Sequence, residues 1–220
     1  MNKQAYAQHR EKDQAERQCQ DGFAVPEEVA FRDAPAIEKQ QRWQEAVACF
    51  DQAILHDSGY PKLWNLRGLL NFKGWEFSRE NGRDPLAAFA AAERDATEAC
   101  RLMPQQHPSW RERAKIRYTQ AVYRKGLGEV PRDDVLEAER CVGEAFRFNS
   151  TDSENYVVRG PIRLEKAVLM EQDGDRTAAE SLYRGAIADF ERALAMDAGA
   201  AKRIGPSFDE ARMRLRALRP

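Results

Sequence analysis

The sequence predicts an all-α protein built as an array of antiparallel helix hairpins, and three observations carry that expectation. The chain repeats itself in steps of 46 residues: Trp64 falls on Trp110 and Tyr156, Arg67 on Arg113 and Arg159, Gly68 on Ala114 and Gly160, and Ala53 on Ala99 and Ala145. A fixed period of roughly 20 to 50 residues marks stacked supersecondary units, each of which buries its apolar face against its neighbours. The 220 residues are rich in Ala, Glu, Arg and Gln and sparse in Val and Ile, and 42% are hydrophobic against 32% charged. That balance favours amphipathic helices over strands. Finally, Gly, Pro and Asx clusters interrupt the apolar periodicity at the spacing a hairpin array requires.

Taken in order, residues 1–33 predict an N-terminal helix and a long connection, a degenerate first hairpin with a thin apolar stripe of Tyr6, Ala15 and Cys19. The array proper is expected over residues 34–198. Asp33 can cap a helix that runs to about His56, with Trp43, Val47, Phe50 and Ile54 on one face. Pro61 opens the central unit, whose first helix reaches about Arg79 before the Asn81-Gly82 turn, and Asp84-Pro85 starts its second helix, which stops before Pro104. Ser109 with Glu112, Thr151 with Glu154 and Ser207 with Glu210 have the spacing of capping boxes and are expected to open three later helices. Pro161 is expected to bend the second of these. Gly126-Leu127-Gly128 and Asp173-Gly174-Asp175 are turns. Residues 199–220 predict a C-terminal capping helix, the polar end that a repeat array needs.

At Trp64, Gly68, Ala92, Ala96, Ala99 and Pro104, and again at Ala46, Phe50 and Ala53 and at Ala186, Phe190 and Ala193, the chain resembles the tetratricopeptide repeat (TPR) family. The resemblance covers residues 34–198 and implies a right-handed solenoid of hairpins. The family's period is about 34 residues; the longer period here puts the extra residues at the hairpin tips, with helices of about 20 residues and roughly 30 Å. Arginine also stands at 67, 113 and 159 where the family pattern has leucine. In a TPR variety with the second helix reading A-x2-D-F, such arginines pair with the aspartate, which implies Arg67 with Asp95 and Arg159 with Asp189. Arg113 faces Cys141 and must find another acceptor. The alternative, an anion-binding ladder of three arginines, leaves partly buried charges unpaired. The Gly82-Arg83-Asp84-Pro85 tip is similar to repeat regions attached to bacterial serine/threonine protein kinases, although no kinase motif is present.

No phosphate loop, nucleophile elbow or zinc-ligand spacing occurs, and His9, His56 and His107 lie far apart. The expectation is therefore a non-enzyme without metal or cofactor. Cys19, Cys49, Cys100 and Cys141 lack C-x-x-C spacing and read as structural thiols. A net charge of −1 provides no general attraction for nucleic acid or an anionic membrane. The polar N-terminus and the lack of a long apolar run point to a cytoplasmic protein.

The expected function is a protein-interaction scaffold or adaptor, with a regulatory module in bacterial signalling as one setting. The resemblance implies a concave groove lined by the first helix of each hairpin, at Lys62, Asn65, Leu69, Phe72 and Lys73, then Arg111, Lys115 and Tyr118, then Val157 and Leu164. The residues carried forward as partner-binding are Lys62, Asn65, Phe72, Lys73, Arg111, Lys115 and Tyr118, suited to an acidic or C-terminal carboxylate peptide. The alternative is an RNA-binding helical repeat, which needs a continuous basic stripe.

Overall fold

In the computed structural model the described residues are 36–218, with side chains from residue 40 onward. Eight α-helices and one 3-10 turn, and no strand, occur among them. The helices are α1 (Ala36–His56), α2 (Pro61–Glu80), α3 (Leu86–Leu102), α4 (His107–Gly126), α5 (Arg132–Phe148), α6 (Ser153–Gln172), α7 (Arg176–Met196) and, after the turn Ala198–Ala200, α8 (Ala201–Ala217). The fold is all-α and helical-repeat-like, as the periodicity predicts. The Asp33 cap and the N-terminal helix lie outside the described residues.

The chain forms two compact units that divide between Pro104 and Gln105. In the first, α2 pairs with α3 as a hairpin and α1 packs on α2. Phe50, Ala53 and Ile54 of α1 meet Leu63 and Leu70 of α2, the i, i+3, i+4 stripe read from the sequence. The α2–α3 tip turns at Gly82, whose φ of +66° is one a side chain rarely adopts. Asp84 accepts the Leu86 amide hydrogen at 2.9 Å and so starts α3.

In the second unit α4 pairs with α5 and α6 with α7, while α7 and α6 both carry α8. Small residues allow these approaches: Ala114, Ala138, Ala145, Ala167, Ala179, Ala186 and Ala193 are all fully buried. At Gly160 the helices approach so closely that a Cβ would lie 2.3 Å from the Phe190 ring. Pro161 follows without breaking α6.

Three helix starts differ from expectation. Ser109 does not cap α4; the helix begins at His107 with Pro108 in its first turn, which leaves Ser109 buried. Thr151 does not cap α6, because its amide and hydroxyl are both bonded to Asn149 Oδ1; Asp152 takes the position and accepts the Glu154 amide hydrogen. Ser207 lies inside α8. Asp197 accepts the Gly199 amide hydrogen and initiates the 3-10 turn that runs into α8 at Ala201. Pro206 is tolerated there because it points outward from the face that buries Ile204, Phe208 and Ala211. Cys49 is disulfide-bonded, contrary to the thiol expected at that position, whereas Cys100 and Cys141 are buried and form no disulfide. Cys19 lies outside the described residues.

Candidate partner-binding face

The first helix of each hairpin presents two sets of polar side chains, and the structure uses them differently. One set turns toward the second helix of the same hairpin. Arg67 forks onto Asp95, with Nε to Oδ2 at 2.9 Å and Nη2 to Oδ1 at 2.6 Å, and Arg159 forks onto Asp189 at the same two distances. Both implied pairs are therefore present. Each aspartate is 3% exposed and takes a further donor one turn along the first helix, Asn71 in one case and Arg163 in the other. Arg67 also reaches back to Asp51 on α1. The middle hairpin has Cys141 in the aspartate position, and Arg113 turns instead to Glu137 at 2.9 Å. A different buried acid, Asp134, binds Arg117 and Arg124 there. These carboxylates are the acceptors that make buried guanidinium groups tolerable, so the arginines are braces and not an anion ladder.

The second donors were legible in the sequence but missed. Asn71, Arg117 and Arg163 are spaced by the same 46 residues as the arginines four positions before them. Extending the repeat comparison by one helical turn finds them.

The other set faces away from the hairpin partner and contains the predicted groove positions. In the first unit Lys62 and Lys73 are exposed, Leu69 is 37% exposed, and Asn65 and Phe72 are half-buried. Phe72 leans inward, its ring centroid 6.4 Å from that of Phe89. In the second unit, Arg111 is bound by Asp152 and Lys115 lies 2.9 Å from Glu112. Tyr118 is half-buried, and burial, with the carboxylates of Glu165 and Glu210 nearby, pushes its phenol above the ordinary value. Leu164 is not a groove residue: it is 2% exposed and belongs to the core beneath α7 and α8. The reason is that α8 starts early enough to lie along α6 and cover it.

Charge on this face of the second unit is compensated between neighbouring helices. Lys125 of α4 meets Glu165 of α6 at 2.8 Å, and Arg203 of α8 meets Glu154 of α6 at 2.5 Å. Arg214 of α8 binds Glu210 on its own helix at 2.8 Å and Glu171 of α6 at 3.3 Å. The Arg203 bond holds the Glu154 carboxyl below its ordinary value despite burial. The face therefore carries alternating paired charges beside Tyr118 and the exposed Val122.

Among the described residues, no cluster of His, Cys, Asp and Glu has the arrangement of a metal site, and no helix is long and apolar enough to cross a membrane. Neither a protein-family profile nor a curated protein sequence matches this chain. Among solved structures, the human IFIT1 dimer with m7Gppp-AAAA is similar over 93% of this chain at 16% identity, with a TM-score of 0.37. This chain spans 45% of the length of that one, and the likeness is too distant to assign a ligand.

Proposed function

We propose that this chain is a non-enzymatic protein-interaction scaffold of the TPR type, and that the first-helix faces bind a peptide or protein partner. The observation that carries this reading is the charge compensation on the second unit. Nucleic-acid affinity comes largely from cations that replace the counterions of phosphates. On this face Arg111, Lys115, Lys125, Arg203 and Arg214 each have a carboxylate of the same unit within salt-bridge distance. A phosphate backbone would have to separate those pairs. A protein surface of mixed charge with apolar contacts can instead exchange partners pair by pair, with Tyr118 and Val122 supplying apolar area.

The similarity of the Gly82-Arg83-Asp84-Pro85 tip to repeat regions attached to bacterial kinases supports a regulatory setting in signalling. Affinity capture with the purified chain at physiological salt, with and without nuclease, tests the reading. It expects retained proteins that survive nuclease. Capture that disappears on nuclease treatment would transfer the assignment to a nucleic-acid-binding repeat.

A further inference from the structure

Arg111 differs from the arginines that brace the hairpins. Arg67 and Arg159 each commit Nε and Nη2 to both oxygens of one aspartate. Arg111 is held by Nη1 alone, through Asp152 Oδ2, and its Nε is buried without a hydrogen-bond partner, 3.7 Å from Glu112 Oε1. Asp152 does not complete the fork. Its Oδ1 accepts the Glu154 amide hydrogen at 2.9 Å as the N-cap of α6. Its Oδ2, the oxygen that binds Arg111, also faces His107 Nδ1 at 3.6 Å. The guanidinium thus has a single-point anchor and an unsatisfied buried donor, where a free carboxylate could bind through two parallel bonds. Lys115 stands one turn further along the same face and is 35% exposed.

We propose that Asp152 occupies, from within the chain, the anion position of Arg111, and that a carboxylate of the bound peptide enters by displacing it and completing the fork. This rests on the peptide-binding reading above and adds its regulation: affinity for an acidic peptide is set by competition with Asp152. The capping role of Oδ1 is separable from that competition. Asp152→Asn and Asp152→Ser both keep a capping oxygen while removing the charge that holds Arg111.

The test is fluorescence anisotropy with a fluorescein-labelled hexapeptide of alternating Ala and Glu, made with a free C-terminus and as the amide. Thermal melts establish that the variants are folded. Both substitutions are expected to bind the peptide about fivefold or more tighter than the unmodified chain, and Arg111→Ala in either background is expected to abolish the gain. A gain with the free acid alone identifies a C-terminal carboxylate as the competitor; an equal gain with the amide identifies side-chain carboxylates. No gain, a gain that persists without Arg111, or no binding by any form overturns the proposal. If nuclease-resistant protein capture succeeds while the gain is missing, the scaffold reading stands and this inference alone fails. If no protein is captured, the scaffold reading fails.

Discussion

Substituting Gly160 by alanine separates helix propensity from helix approach. In an open helix position the change should stabilise, since alanine is favoured over glycine by about 1 kcal/mol in a helix interior. At Gly160 the added methyl would lie 2.3 Å from Phe190 Cε1, 2.7 Å from Cδ1 and 2.9 Å from Cζ. Carbon atoms pack at about 3.5 to 4.0 Å, so the ring or the helix must retreat by about 1 Å. The ring has little room to retreat, being fully buried with its centroid 5.4 Å from that of Phe208. Overpacking of this kind costs about 1 to 3 kcal/mol, and an overlap this deep belongs at the upper end, leaving a net loss of about 2 kcal/mol after the propensity gain. Gly143 on α5 is the control: a Cβ there meets nothing within 4 Å, and Gly143→Ala should gain up to about 1 kcal/mol. Urea unfolding of the two variants, followed by far-ultraviolet circular dichroism, measures both. If Gly160→Ala is as stable as Gly143→Ala, the α6–α7 crossing is not as close as described and the small-residue reading of the repeat is wrong.

Three further outcomes follow from the charged groups. Asp189→Ala leaves Arg159 and Arg163 without their shared acceptor and should cost about 3 kcal/mol, measured by the same denaturation. Arg111→Ala, which removes a largely buried partner of the α6 cap, should cost about 2 kcal/mol, whereas Lys115→Ala should change stability by no more than about 0.5 kcal/mol because its pair is partly exposed. Stability should also fall in acid. Arg140 holds Glu137, and Arg203 holds Glu154, below the ordinary carboxylate value; at Asp152 burial acts upward but is outweighed by the Glu154 amide and Arg111. Because these folded values lie below the unfolded ones, the unfolded chain takes up protons first as pH drops. Their contribution is complete above about pH 5 and is lost as pH falls below about 4 through the folded values, which melts in a pH series would show.

The hairpins were legible because each signal was redundant. The 46-residue step, the apolar stripe of α1 and the Asn81-Gly82 turn all pointed to helices whose ends are close to those observed. The Arg67–Asp95 and Arg159–Asp189 forks were implied by the TPR resemblance and are present. Helix starts were less legible. A Ser/Thr-x-x-Glu pattern arises easily in a Glu-rich chain, and the role went to Asp152, one residue after Thr151, and to Asp197, ten residues before Ser207, which caps the 3-10 turn leading into α8. The site was legible only as a set of positions. Asp152 lies 41 residues from Arg111 and meets it through the hairpin geometry, and Leu164 is lost from the groove because α8 covers α6. Neither contact has a local sequence signal.

Under the proposed function, the paired charges on the first-helix face of the second unit suit a protein partner and not a phosphate backbone. Titrating a fluorescein-labelled single-stranded RNA of about 20 nucleotides, by anisotropy at about 50 and 150 mM salt, tests it most directly. No saturable binding is expected at about 150 mM, and only weak, sequence-independent association at the lower salt. Saturable micromolar binding at the higher salt, with an affinity that falls steeply and linearly on a log–log plot of salt concentration, would contradict it.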